Sequence, residues 1–276
     1  MKIKMIGLDL DGTLLDSQKR VSTYTDRVLR QAINQGIEIV IATGRSLCGI
    51  PKQLLELPGL RYVIVLNGAR VIDLQKNEVI YEKRLEKRNA QEVFRIFKDY
   101  DTTRDISLAG RGYMESSQLQ EIEQYVLSEA LGSYIKESRL PANNIEEMLA
   151  NTEESIDKVH AFFKFEQERQ EAWKRIEKID GVEVSGSLGN NIEVNAKGVN
   201  KGRGLLGLGE LIGIHQEEIM AVGDELNDIE MVRMAGLGVA MENGHQEIKK
   251  HAEYITDTND KDGAAKAIIK LACEEE

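Results

Sequence analysis

Cysteine, long apolar runs and positive charge are all scarce in this chain, and each shortage narrows its function. Cys48 and Cys273 are the two cysteines among 276 residues. They lie far apart and show no metal-ligand spacing, so a reduced, cytoplasmic protein is expected. No apolar run approaches the ~20 residues needed to span a bilayer. The N-terminus also lacks the basic stretch, apolar run and small-residue cleavage site of a secretory signal. Lys and Arg number 36 against 47 Asp and Glu, a net charge of −11. That field repels nucleic acid and anionic lipid, so neither is expected as a partner. It also repels phosphorylated metabolites, so any phosphate site must supply its own local positive charge. Repeats and low-complexity segments are absent. What remains is an ordinary globular balance, 41% hydrophobic and 30% charged, enough for one large or two modest domains. A monomer is the default expectation.

Patterning assigns the elements. Residues 3–10 form an apolar run suited to a strand buried on both faces. Ser22 caps a helix carrying Val28, Leu29, Ala32 and Ile33, which stops at Gly36. Residues 37–42 ("IEIVIA") read as a central strand before Thr43-Gly44-Arg45. A helix follows over about 46–57, and "YVIVL" at 62–66 gives a strand ending at Asn67-Gly68. The same grammar returns late, with a helix at 201–211, a strand at 218–224 ("EIMAVGD") and a helix at 227–235. A strand at 237–241 and a helix at 263–272 complete it. Strand and helix alternating through short links predict a parallel sheet with right-handed crossovers. Between these halves lie hairpin patterns at 71–82 and 181–195. Residues 157–166 alternate, with Val159, Ala161, Phe163 and Phe165 on one face. An open antiparallel sheet covered on one side is expected there, with Trp173 and the Phe162, Phe163, Phe165 stripe as its packing. The expectation is an α/β chain: a Rossmann-like parallel-sheet core over residues 1–83 and 198–276, and an α+β domain inserted at 84–197.

Four polar clusters fall at the ends of core elements: Asp9/Asp11/Thr13, Thr43-Gly44, Lys201, and Asp224/Asn227/Asp228. Ligands of open parallel sheets bind beyond the carboxyl ends of the strands, where strand order reverses. If the first strand is central, the clusters converge. Asp9, Asp11 and Asp224 brought together would repel, and some would protonate unless a cation compensated them. A hard divalent ion with oxygen ligands fits, magnesium best. Gly44 lets backbone approach a ligand closely, although a lone Thr-Gly after a strand is more often a plain turn. Lys201 opens a helix, where the macrodipole disfavours cations; it makes sense there if lysine and helix end share an anion. Asn227 can donate an amide hydrogen bond to that anion.

"DLDGT" at 9–13, the threonine of "TGR" at 43–45, the lysine of "KG" at 201–202 and "GDELND" at 223–228 resemble, in order, the four motifs of the haloacid dehalogenase-like hydrolase superfamily. Residues 12–42, between the first two motifs, are too few for the helical cap of phosphoserine phosphatases or dehalogenases. Residues 44–200 have room for the α+β cap of the Cof-type sugar phosphatases, which "LNGA" at 66–69 and "NKGRGL" at 200–205 also resemble. The resemblance implies a magnesium-dependent phosphatase of small phosphorylated metabolites, with sugar phosphates expected. It makes Asp9 the nucleophile, forming an aspartyl phosphate, and Asp11 the acid/base. Asp9, the Asp11 carbonyl and Asp224 would hold the metal with support from Asp228. The Leu10 N–H, Thr43, Gly44, Lys201 and Asn227 would cradle phosphate, and Arg45 and Asn67 would touch the leaving group. His160 is expected as an ordinary sheet histidine or as a cleft residue. A phosphosugar mutase and a phosphoaspartate signalling module share parts of this chemistry and remain alternatives.

Overall fold

The structure is a computed structural model describing residues 2–273. The chain divides into two compact units. One holds the residues up to Gly44, Ile50–Tyr81 and those from Asn200 on; the other holds Arg45–Gly49 and Glu82–Val199. The strands, in chain order, are β1 (Met5–Leu8), β2 (Glu38–Ala42), β3 (Tyr62–Val65), β4 (Arg70–Asp73), β5 (Glu78–Glu82), β6 (Thr102–Leu108) and β7 (Arg111–Glu115). Then follow β8 (Arg139–Ala142), β9 (Ile156–Phe163), β10 (Val182–Ser185), β11 (Asn191–Ala196), β12 (Ile219–Gly223), β13 (Leu237–Met241) and β14 (Tyr254–Thr256).

The first unit is built on an eight-stranded sheet of order β14-β13-β12-β1-β2-β3-β4-β5. Neighbours from β14 through β3 run parallel, and β4 turns back antiparallel to β3. Every residue of β1 is buried, as an apolar run sandwiched by helices requires. Met5, Val40, Ile64, Leu205, Leu208, Ala221 and Met231 pack into one core on the sheet, each large apolar side chain contributing about 1.5–3 kcal/mol through burial. Ser22 caps the helix Thr23–Asn34 by accepting the Thr25 N–H, and Val28, Leu29 and Ala32 form its buried face.

The helix expected over 46–57 does not form as one piece. Leu47–Gly49 is a single 3₁₀ turn and Lys52–Leu55 a single helical turn. Pro51 separates them, because it lacks an N–H and drives Ile50 away from helical angles. The helix expected over 227–235 likewise splits into a 3₁₀ turn, Leu226–Asp228, and the helix Ile229–Met234.

The second unit carries a six-stranded sheet of order β10-β11-β9-β6-β7-β8, antiparallel except for the β7–β8 pair. Along β9, Val159, Ala161 and Phe163 share one face as the alternation predicts. Two expectations need correction. The polar face of this sheet is not open: Asp105, Lys158, His160, Asn191 and Glu193 are all buried, their charges matched within the sheet. Phe165 lies beyond β9, before the helix Glu166–Ile176, and is 52% exposed. Trp173 sits on that helix, its indole N–H donating to Glu177 at 2.8 Å. Among the described residues no helix is long and apolar enough to cross a membrane.

Candidate active site

β1 lies between β12 and β2, with Leu8 opposite both Val222 and Ile41. Strand order reverses here, and the parallel register delivers residues 9, 224 and 43 to the same end of the sheet. The Asp9 N–H donates to the Val222 carbonyl at 3.1 Å, and the Thr43 N–H to the Ile64 carbonyl at 2.9 Å. Buried backbone ties of this kind continue the ladder up to the first candidate site residue of each strand.

Lys201 is the centre of the cluster. The helix Lys201–Ile212 begins after Asn200, whose side chain accepts the Arg203 N–H at 2.8 Å. Lys201 is 1% exposed, and its Nζ donates to Asp9 Oδ1 and to Asp228 Oδ1, each at 2.6 Å. An amine buried at a helix N-terminus is unfavourable by itself; two carboxylates reverse that. Burial lowers its proton affinity, but Asp228 and Asp9 outweigh burial and hold the ammonium form. The other oxygen of Asp228 accepts the N–H groups of Asp224 and Glu225, both at 3.1 Å. Asp224 accepts the Thr13 hydroxyl at 2.7 Å. Gly12 makes that approach possible: its φ is +82°, and a Cβ there would stand 2.2 Å from Asp224 Oδ2.

Three buried carboxylates therefore gather where one amine bonds Asp9 and Asp228, and Asp224 is met by the Thr13 hydroxyl. Burial, then repulsion by Asp228, pushes the Asp9 carboxyl up to about 7 although Lys201 opposes the rise. Burial and the charges of Asp9 and Asp228 also raise Asp224 well above the ordinary carboxylate range. Oxygens of Asp9, Asp224 and Asp228 lie within 4.8 Å of one another.

Residues 6–268 match the family described as haloacid dehalogenase-like hydrolase. The chain belongs to that family. The 5-amino-6-(5-phospho-D-ribitylamino)uracil phosphatase YcsE of Bacillus subtilis (strain 168) is 31% identical over 272 residues, covering 96% of this chain and 94% of its own. The structure of a haloacid dehalogenase-like hydrolase from B. subtilis matches with a TM-score of 0.87 at 28% identity, over 98% of this chain and 100% of that one. The subclass IIB sugar phosphatase BT4131 matches with a TM-score of 0.80 at 25% identity, over 97% and 98% of the two chains. The protein is thus a haloacid dehalogenase-like phosphatase of Cof type, with an inserted cap domain, acting on small phosphorylated metabolites.

The donor set of this hydrolase fits a hard divalent cation. Its ligand atoms are all oxygens, its charge is under-compensated, and the raised carboxyls of Asp9 and Asp224 mark sites that lack positive charge. Asn227 Oδ1 is buried as well, with no hydrogen-bond partner among the described residues. Its Nδ2 donates to Asn67 Oδ1 at 3.1 Å.

Of the residues singled out by sequence, Asp9, Lys201, Asp224 and Asp228 form this cluster, and Asp11 is close enough to raise Asp9 electrostatically. Leu10 is fully buried, and its carbonyl accepts the Leu15 N–H at 2.9 Å. Thr43 is buried, and its carbonyl accepts the Asn67 N–H at 3.0 Å. Gly44 is the last residue of the first unit's opening segment, whereas Arg45 groups with the second unit. There its Nη1 donates to the Gly49 carbonyl at 2.6 Å, and its guanidinium lies 4.0 Å from the Tyr134 ring centroid. His160 is buried in its sheet between Asp105 and Asn191, with Nδ1 3.0 Å from Asp105 Oδ2.

Sequence reasoning missed Lys19, whose Nζ donates to Asp11 Oδ1 at 2.6 Å, and Asn243, whose Nδ2 donates to the Gly12 carbonyl at 2.8 Å. Neither has a sequence signal. Lys19 lies in an irregular loop with no periodicity, and Asn243 is far from Gly12 along the chain.

Proposed function

We propose that this phosphatase hydrolyses phosphate monoesters of sugars or similar polyols, with Mg²⁺, through an aspartyl phosphate on Asp9. One observation carries the reading: a buried lysine held 2.6 Å from both Asp9 and Asp228, with Asp224 in the same cluster. Lys201 fixes one Asp9 oxygen and leaves the other to attack phosphorus. The new Asp9–phosphorus bond forms as the bond to the leaving oxygen breaks, and Asp11 gives that oxygen its proton. Asp11 then takes a proton from the water that attacks the phosphoryl group, releasing inorganic phosphate and restoring Asp9. The Leu10 N–H, Thr43, Gly44, Lys201 and Asn227 hold the phosphoryl oxygens. Asp9, Asp224 and the Asp11 carbonyl would bind the metal, with Asp228 in support. A bound Mg²⁺ would add positive charge beside those oxygens.

Two relatives support the substrate class. BT4131 is a sugar phosphatase, and YcsE acts on a phosphorylated ribitylamino compound; both names describe phosphate on a small hydroxylated carbon chain. Residues 84–197, the proposed cap, and Arg45 would select among such leaving groups. The test is a panel of sugar, polyol and nucleotide phosphates assayed for released phosphate with Mg²⁺, with EDTA, and with Mg²⁺ restored. Turnover of sugar or polyol esters that EDTA removes and Mg²⁺ restores is expected. Release confined to other phosphates overturns the substrate class, and an isomeric sugar phosphate without free phosphate identifies a mutase.

A further inference from the structure

We propose that Asn67 is a positioning residue, one that sets the orientation of the Asn227 carboxamide. The role rests on the phosphatase reading above, and the observation behind it is a run of unusual backbone. β3 ends at Val65, and the next three residues all lie in the left-handed region: Leu66 at φ +55°, Asn67 at +61° and Gly68 at +97°. Consecutive left-handed residues are unfavourable, most of all for a branched side chain such as leucine. Such a conformation persists only where its surroundings over-determine it.

The surroundings here are three segments of the catalytic cluster. The Asn67 N–H donates to the Thr43 carbonyl at 3.0 Å. Gly68 lies against the Asn200 carbonyl, next to Lys201, so closely that a Cβ would stand 2.4 Å from that oxygen. The Asn67 side chain accepts the Asn227 amide at 3.1 Å, and both residues are buried. The strained segment thus meets the chain at Thr43, at Lys201 and at Asn227.

The bond to Asn227 decides which end of a carboxamide points where. An Asn side chain offers two donors at one end and an acceptor at the other. A phosphoryl oxygen accepts only, so the wrong end would repel it. Asn67 Oδ1 anchors the NH₂ end, which leaves the second N–H of that group with a fixed direction. Without the anchor the carboxamide is free to rotate, and Asn227 no longer presents a donor by default.

Asn67→Gly isolates the side chain, because glycine keeps the left-handed backbone. Asn67→Asp keeps both the acceptor and the tolerance for positive φ. The primary measurement is the side-chain amide NMR signal of Asn227, identified by its loss in Asn227→Ala. In Asn67→Gly that signal is expected to move to the position of an unanchored amide, and in Asn67→Asp to stay near wild type. An Asn227 signal unmoved by Asn67→Gly overturns the proposal, whatever the enzyme turns over. The second measurement is kcat/KM for p-nitrophenyl phosphate in a double-mutant cycle. Asn67→Gly should lower it about 10- to 100-fold, and the Asn67→Gly/Asn227→Ala pair should be no worse than Asn227→Ala alone. Losses that multiply, or a loss under about twofold, contradict action through Asn227. A wild-type protein inactive on every ester would overturn the phosphatase reading, while the NMR measurement would still decide the Asn67–Asn227 bond.

Discussion

Asp9 and Asp105 are both buried aspartates, yet their carboxyls shift in opposite directions. In the first unit, burial and Asp228 push Asp9 up to about 7, and Lys201 offsets only part of that rise. In the second, burial would raise Asp105, but Arg139 and His160 outweigh it and hold the carboxyl well below the usual range. Arg139 Nε donates to Asp105 at 2.9 Å. Nearby, Lys158 bonds Glu193 with both side chains buried. The cap sheet therefore pairs Asp105 with Arg139 and Lys158 with Glu193, whereas in the core cluster Lys201 bonds Asp9 and Asp228 with the Asp224 carboxylate beside them. Matched charges are inert and hold a fold. Under-compensated ones are available to a cation and a substrate, and they are expected where chemistry occurs.

The largest effect that sharpens this contrast is on turnover. Asp9→Asn should reduce phosphate release by on the order of 10⁴ or more with far-UV circular dichroism unchanged. Activity within tenfold of wild type would remove Asp9 from the nucleophile role. The reciprocal change in the cap should act on stability. Asp105→Ala leaves Arg139 buried without its partner, and a cost of about 3–5 kcal/mol is expected in urea unfolding. A cost under about 1 kcal/mol would show that the cap charges are not matched in the way described.

How far these sites could be read in advance depends on where the information lies. Apolar runs closed by acids, at residues 3–10 and 218–224, identify core strands because burial on both faces demands continuous apolar residues and leaves polar ones only at the ends. Asp9 and Asp224, which stand at the ends of those runs, could be singled out for the same reason, and the structure brings them together. The cap was less so: the alternation of β9 separates its two faces but does not say that Lys158 and His160 are buried, because their partners, Glu193 and Asp105, lie on other strands. The break at Pro51 was available locally and was outweighed by the apolar pattern around it. The link from Lys19 to Asp11 could be seen only once the loop was folded.

A smaller effect separates the regions by pH. A depressed folded-state pKa means that Asp105 contributes its stability above the unfolded value, ~4, and loses it as pH falls toward the folded value. The stability difference between wild type and Asp105→Asn should be widest at neutral pH and narrow progressively below pH ~4, followed by urea midpoints across the series. A difference that widens in acid would reverse the sign assigned to Asp105. Least of all should come from an exposed pair. Arg30 bonds Asp26 at 2.7 Å on the surface of the helix Thr23–Asn34, and Arg30→Ala should leave the melting temperature essentially unchanged. A clear fall would mean that surface pairs matter here as much as the buried ones.

The most direct measurement is the site of covalent attachment during turnover. Wild-type protein mixed with a ³²P-labelled substrate ester and Mg²⁺, quenched in acid within the first turnover and mapped by peptide mass spectrometry, should carry label on Asp9 alone, and label should be absent from Asp9→Asn. Label on another residue, or rapid phosphate release with no labelled protein at any quench time, would contradict the assignment of the under-compensated carboxylate as the nucleophile.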